Sequence, residues 1–466
     1  MDLNSPSQTD PQPASDFALQ ADVLSIYQKL LTADLLQRML RQAKIKQNNR
    51  LYNPLVVIWL LVFQRLHGNV SMERAVLNVV HGLPAEFWPQ PCKRRREDRV
   101  SDKDGSYSAA RQELPLSMVE QAADLVFEGL LEQTGGAVPV FGRRAFFVDG
   151  TSLRTPHRPK LNQEFPPSSN QHGESHWPVV KMLVAHDLRT GLAIHPVCGA
   201  MSGPDAVSEQ ALFEKLLREG VPAGAIMIGD INFGVFSVAY AADQDQHPVV
   251  LRMQEQRARV VLGGGPLVDG IDREVEWRPS RDERKSHPHL PADACVRGRL
   301  LVMLVRPDNG AEASLLVLFT TLPAAEASRE ELLELYGQRW NIELDLRTLK
   351  GTLQLEQLTC TSPEMAAKQI HAAMIAYNLV RAVMYAAAAQ SGIAPRRYSF
   401  ARVRHVVEHF LPFIAAAKTP EEAQALTAKM MYCAGQKKLR NQKRRRSYPR
   451  AVWGRPRTFP SRKAGS

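Results

Sequence analysis

The sequence predicts an α/β protein in which helices cover a mixed β-sheet. Up to about residue 134, apolar residues recur at helical spacing. Near residue 144 the pattern changes to short apolar runs that are typical of buried strands, and helical spacing returns at about residue 328. Strands, a helix, more strands and then helices, in that order, favour one mixed sheet with helices packed on it.

The chain is basic. It has 59 Lys and Arg against 48 Asp and Glu, a net charge of +11, and a pI near 9.5. Such a charge predicts an acidic partner, most commonly nucleic acid, although a ribosome-associated protein or one bound to anionic membranes would share it. Five scattered cysteines without a C-x-x-C pair favour a reducing cytosol over a zinc or disulfide framework. We expect a cytoplasmic, nucleoid-associated protein.

The N-terminal part predicts disorder and then helices. Residues 1–17 are rich in Ser, Pro, Gln and Asp. Helices are predicted around 55–66, 70–81 and 115–133. The most apolar run, Leu55 to Phe63, is far shorter than the roughly 20 residues that span a bilayer, and it predicts a buried helix. The segment from 83 to 105 is predicted to be a loop, made basic by residues 93–96.

Apolar strands and carboxylates follow one another in the middle of the chain. Ala145 to Val148 predicts a buried strand whose tip carries Asp149, and Ile226 to Gly229 predicts another that ends at Asp230. Carboxylates at strand ends project into the crevice where ligands commonly bind. Further predicted elements are strands at 179–186, 193–198, 249–252, 300–305 and 314–320, a helix at 206–218 and a long helix at 328–352.

The predicted long helix carries a third acidic residue among basic ones. With Tyr336 set at 0° and about 100° per residue, Arg339, Glu343, Arg347 and Lys350 fall at roughly −60°, −20°, +20° and −40°. Leu335, Ile342, Leu346, Leu349 and Leu353 form a neighbouring apolar stripe that would dock the helix on the sheet. Geometry alone leaves two interpretations open, a functional site or surface pairs of Glu with Arg and Lys. Asp345, about 200° from Glu343, is predicted to face away, and its amide variant is expected to be nearly silent in catalysis.

The spacing Tyr336-x2-Arg339-x3-Glu343-x6-Lys350 resembles the Y-(2)-R-(3)-E-(6)-K signature of the "insertion sequence four" family of bacterial DDE transposases. Val148-Asp149-Gly150-Thr151 and the segment 228–233 resemble the surroundings of the family's first and second aspartates. Asp230-Ile231-Asn232 departs modestly from the usual second motif, in which a basic or small residue follows the aspartate.

The resemblance implies a ribonuclease-H-like catalytic core, interrupted by a β-rich insertion between Asp230 and Glu343. It implies an enzyme that cuts a mobile element from its flanks and joins the ends to target DNA. Asp149, Asp230 and Glu343 would ligate two Mg²⁺ ions, for which Mn²⁺ could substitute, because hard cations take oxygen ligands. Tyr336, Arg339 and Lys350 would bind phosphates, with Arg347 as an additional contact. A homodimer on DNA is expected, since two ends need two active sites.

Some members of the family work through a DNA hairpin, and a Trp of the insertion contacts its flipped base. Trp277 is the candidate for this role here, and an ordinary core Trp is the alternative. Two rival functions also stay open, a ribonuclease-H-fold nuclease without strand transfer and an inactive DNA-binding relic. The predicted domains are a disordered segment (1–17), a helical N-terminal DNA-binding domain (18–140), the catalytic core (141–255 and 323–360), the β-rich insertion (256–322), a helical C-terminal region (361–435) and a basic tail (436–466).

Overall fold

The computed structural model describes residues 22–42, 50–81, 83–134, 139–170, 173–305 and 313–439. The predicted disorder of 1–17 and nearly all of the predicted basic tail lie outside these residues.

Seven α-helices and one short 3₁₀ helix (Ala85–Phe87) precede the first strand of the described chain. The α-helices are α1 (Val23–Leu30), α2 (Ala33–Gln42), α3 (Pro54–Leu66), α4 (Met72–His81), α5 (Lys93–Arg96), α6 (Gly105–Glu113) and α7 (Leu116–Gln133). The start of α3 is set by its sequence, because Asn53 caps it by accepting from the Val56 amide at 3.0 Å and Pro54 occupies the first turn. The basic run predicted to be loop forms the short helix α5 instead.

The middle of the chain alternates strands and helices. The elements are β1 (Ala145–Arg154), α8 (Pro159–Glu164), β2 (Ser169–Asn170), β3 (Gly173–Glu174), β4 (Val179–Asp187), β5 (Val197–Ala200), α9 (Glu209–Glu219), β6 (Ile226–Gly229), α10 (Phe236–Gln244), β7 (Val249–Arg252), α11 (Glu255–Val261), β8 (Asp272–Trp277), α12 (Arg281–Ser286), β9 (Val296–Val305) and β10 (Ser314–Thr320). The strand predicted from residue 193 begins later, at Val197.

Eight of these strands form one mixed sheet in the order β5-β4-β1-β6-β7-β10-β9-β8. β5, β4 and β1 pair antiparallel, whereas β1, β6 and β7 run parallel. β10 pairs antiparallel with β7, and β9 and β8 continue the sheet. The predicted β-rich insertion therefore extends the central sheet, and it also contains α12 and most of α11.

The single long helix predicted over 328–352 is wrong. The structure has α13 (Arg329–Gly337), α14 (Trp340–Arg347) and a π-helical turn (Thr348–Thr352). Between α13 and α14 the amides of Arg339 and Ile342 bond to carbonyls three residues back, so the junction has tighter, 3₁₀-type geometry. Gly337, a weak helix former, lies at this junction.

The last helices of the described chain are α15 (Pro363–Ser391), α16 (Phe400–Ala415) and α17 (Pro420–Gly435). α15 contacts α1, α3 and α7 on one hand and α16 and α17 on the other. It is long and apolar enough to cross a membrane, yet 94% of its most apolar stretch is buried inside the protein. We interpret it as the central core helix. The domain boundaries predicted from the sequence stay a prediction.

Candidate active site

Asp149 and Asp230 lie where two parallel strands separate. The pairing of β1 with β6 covers Ala145 to Phe147 and Ile226 to Ile228, with Phe147 opposite Ile228. Two residues further along each strand come Asp149 and Asp230, so the register brings the two carboxylates to the same place. Asp149 is not at a strand tip as predicted, because β1 continues to Arg154 through its pairing with β4.

Both aspartates are oriented by backbone amides. The Gly150 amide donates to Asp149 Oδ1 at 2.8 Å, and the Asn232 amide donates to Asp230 Oδ1 at 2.9 Å. The second contact is an Asx-type turn, in which an Asp side chain accepts from the amide two residues on. One carboxylate oxygen of each aspartate is thereby oriented by the backbone.

The environment of Asp149 raises its pKa from the usual 3.8 to about 6. Burial is the largest cause, and the negative charges of Asp230 and Glu209 raise it further. The Gly150 amide and the positive charge of Arg339 act in the opposite direction. Negative charge is thus concentrated at a partly buried position, which is typical of functional sites.

Glu209 is a carboxylate that the sequence analysis missed. It is the first residue of α9, a helix capped by the Ser208 side chain. Its side chain lies against Gly150, with its Cδ 2.6 Å from the place where a Cβ at Gly150 would stand. The predicted helix at 206–218 includes this residue, but its approach to β1 depends on tertiary contacts that no local signal indicates.

Glu343 lies on α14, which packs against β1. The Arg339 guanidinium donates to Glu343 Oε1 at 3.1 Å, as the i,i+4 spacing predicts. The positive charge of Arg339 also lowers the pKa of Asp149, so its guanidinium is near enough to act on both carboxylates. Side-chain exposures of 22% for Arg339 and 32% for Glu343 leave both open to a ligand.

Tyr336 is buried at the end of α13. Burial raises its pKa to about 12, while the positive charges of Arg339 and Arg252 lower it and Asp230 raises it. The phenol therefore lies among the groups of the predicted site, and Arg252 at the end of β7 is a basic neighbour that the sequence analysis missed. Arg347, at the end of α14, is exposed, and Lys350, in the π-helical turn, is half-buried.

Trp277 lies in the core. It is 2% exposed, and its ring packs edge-on against Phe319 and Phe236, with centroid distances of 4.9 and 5.9 Å. Neither face is free for a base in this structure. The location corresponds to the core alternative that the sequence left open.

A divalent metal fits the chemistry of this site. Asp149, Asp230 and Glu343 supply the hard oxygen donors that such ions prefer. Burial and, to a smaller extent, neighbouring carboxylates raise the pKa of Asp149, and a bound cation would oppose both effects. Within the described ranges, no three His, Cys, Asp or Glu side chains already converge closely enough to hold a metal. Glu343 pairs with Arg339, so it would exchange that partner on binding an ion.

Asp345 faces away from this site, as predicted. It is 1% exposed and accepts from the guanidinium groups of Arg381 and Arg396, the latter at 2.7 Å. His186 Nδ1 lies 3.8 Å from its Oδ2. Arg396 also donates to the backbone oxygens of residues 187 and 188, which joins α14 to the end of β4. The expectation of a silent amide variant overlooked this buried ion-pair network.

Comparison with known proteins agrees with this geometry. Residues 141–379, just over half of the chain, match the family described as "Transposase DDE domain". The chain is 28% identical over 324 residues to the transposase InsG for insertion sequence element IS4 of Escherichia coli (strain K12), covering 67% of this chain and 68% of that protein. Over 77 residues it is 35% identical to the putative transposase InsL for insertion sequence element IS186A of the same strain and to the transposase for insertion sequence element IS421 of Escherichia coli. Those matches cover 16% of this chain and 21% of each relative. The chain therefore belongs to the DDE transposases, in the insertion sequence four family that the spacing of Tyr336, Arg339, Glu343 and Lys350 predicted.

Proposed function

We propose that this transposase cleaves the ends of an insertion sequence and joins them to target DNA in one active site, formed by Asp149, Asp230 and Glu343. The observation that carries the proposal is the placement of Asp149 and Asp230 where β1 and β6 separate, with the helix of Glu343 packed against β1. The mixed strands β5-β4-β1-β6-β7 support a ribonuclease-H-like core around this site.

The residues of the site have two roles, since the carboxylates would bind metal and the basic residue Arg339 would bind phosphate. Two Mg²⁺ ions, when bound, activate the attacking water or 3′-hydroxyl and stabilise the leaving oxygen. Asp149 and Asp230 would hold the metal, and each has one oxygen oriented by a backbone amide. A Glu343 carboxylate that held metal would free Arg339, whose planar guanidinium suits the free oxygens of a phosphate.

The remaining basic and phenolic groups position DNA. Tyr336 lies beside Arg339 and is buried, so its ring orientation is fixed before DNA binds. Lys350 and the exposed Arg347 lie further along the same chain segment, where they contact flanking phosphates. Two element ends need two such sites, and the acting form is a homodimer on DNA in the bacterial cytoplasm.

The test uses the full chain and a linear duplex that carries its gene with both chromosomal flanks. Wild type should cleave at the inverted repeats in Mg²⁺ and join the resulting 3′-hydroxyl ends to a plasmid. Asp149→Asn, Asp230→Asn and Glu343→Gln should each abolish both steps while retaining end binding in a gel-shift assay. Cleavage without joined products would instead establish the nuclease, and binding without cleavage in Mg²⁺ or Mn²⁺ would establish the relic.

A further inference from the structure

We propose that Glu209 is a fourth carboxylate of the metal site, closing it from the side of α9 and contributing to metal binding. The inference rests on the proposed function of Asp149, Asp230 and Glu343. It adds a residue that the Y-(2)-R-(3)-E-(6)-K spacing does not contain.

The first supporting observation is how closely Glu209 approaches β1. Its carboxylate occupies the space that a side chain at position 150 would fill, since a Cβ there would collide with it. Neighbouring residues of a strand point to opposite faces, so Glu209 reaches β1 from the face opposite the Asp149 side chain. The missing side chain at Gly150 allows this approach, and the charge of Glu209 acts on Asp149.

The second observation is a connection from Glu209 to the other aspartate. Asn232 Nδ2 donates to Glu209 Oε2 at 2.5 Å, and the Asn232 amide donates to Asp230 Oδ1 at 2.9 Å. Gln210 Nε2 donates to the Asn232 side-chain and backbone oxygens, both at 2.9 Å. Asn232 belongs to the segment where this chain departs from the usual second motif, and here it orients Glu209 relative to Asp230.

The third observation is the balance of charge. Glu209 lies against Gly150, next to Asp149, and its bond from Asn232 ties it to the turn that holds Asp230, so three carboxylates are held in one region. Arg339 is the basic group that acts on Asp149, and it also pairs with Glu343. Like charges held together at a partly buried place are unfavourable unless a cation joins them.

The experiment measures Mn²⁺ binding to the full chain without DNA, from the electron paramagnetic resonance signal of the free ion. Glu209→Gln keeps the size of the side chain and an acceptor for Asn232 but removes the charge. We expect it to weaken Mn²⁺ affinity about tenfold, as loss of a group close to a metal typically does. Without metal, its melting temperature should not fall below that of wild type, since the variant removes one of the clustered like charges.

Two matched variants sharpen the test. Gly150→Ala places a methyl group where the flexible end of Glu209 lies, so it should displace the carboxylate and weaken Mn²⁺ affinity similarly. Glu219→Gln removes the same charge at the other end of α9, where the side chain is 48% exposed, and should leave the affinity unchanged.

Asp149→Asn separates failure of this inference from failure of the proposed function. Loss of affinity in Asp149→Asn with wild-type affinity in Glu209→Gln would overturn the role of Glu209 alone. Wild-type affinity in both variants would overturn the metal site itself. An equal loss in Glu219→Gln would also overturn the inference, since it would reflect net charge only.

Discussion

The two faces of α14 carry carboxylates in opposite situations, although Glu343 and Asp345 are only two residues apart. Glu343 is one-third exposed and has Arg339 as its ion-pair partner. Asp345 is buried and paired with Arg381 and Arg396, with His186 beside it. The burial of Asp345 raises its pKa, but the two guanidinium groups more than offset this and the pKa is lowered. One face is thus available for a ligand, and the other fixes the helix that presents it.

The largest expected effect on catalysis comes from the open face of α14, at Glu343. Glu343→Gln should lower metal-dependent end cleavage more than about 100-fold, because even groups outside the metal's direct ligands contribute 10–100-fold. Its melting temperature should stay near that of wild type, since the amide can still accept from Arg339. Cleavage within tenfold of wild type would contradict the assignment of this face.

Asp345→Asn should do the reverse, acting first on stability. The variant leaves the guanidinium groups of Arg381 and Arg396 without the negative charge that pairs with them. Breaking a buried ion pair typically costs about 3–5 kcal/mol. Because the folded-state pKa of Asp345 is lowered, the difference should be complete at pH 7 and shrink as pH falls through that lowered value. Urea unfolding monitored by circular dichroism measures it, and a free energy of unfolding equal to wild type would show that the network contributes nothing.

Arg339→Ala and Lys350→Ala test the basic part of the open face. Each should lower cleavage or strand transfer about 10–100-fold on a pre-cut end, corresponding to loss of one hydrogen bond from a charged group to phosphate. Initial DNA binding should change less. Arg297→Ala, a variant of an 85% exposed residue in β9, is the matched loss of charge and should retain both steps. A larger effect on binding than on chemistry would reassign these residues to general DNA attraction.

Asp149→Asn should give the smallest effect, a gain in stability without metal. The folded-state pKa is raised to about 6, so wild type loses stability relative to the variant as pH rises from about 4 to 6. At pH 7 the variant should be more stable by about 1–3 kcal/mol. Below pH 4 the two should be equal in thermal unfolding. Lower stability of the variant at pH 7 would mean that the charge is already compensated.

The sequence predicted the strands β1 and β6 and the carboxylates Asp149 and Asp230 on or after them, because apolar runs that end in a carboxylate are local signals. The role of these aspartates as metal ligands stays a prediction. Helical spacing also allowed a pair between Arg339 and Glu343, which was one of the two interpretations that the sequence left open, and the structure shows this pair. The sequence did not predict the junction after Gly337, since a helical wheel assumes one uniform rotation per residue. The partners of Asp345 and the approach of Glu209 to Gly150 come from elements far away in the chain, and no periodicity contains them.

The continuous sheet has a mechanical consequence. β10 is hydrogen-bonded to β7 through residues 318–320, and β7 to β6 through residues 227–229, directly before Asp230. The strands β8 to β10, which the sequence predicted to be an insertion, thus belong to the same sheet as β1 and β6. A force on β10 would be transmitted through its hydrogen bonds to β7 and from β7 to β6, the strand that precedes Asp230. The distance from β10 to β6 is two strand spacings, about 10 Å. A displacement of these strands would therefore act on the position of Asp230, the aspartate that we propose as a metal ligand.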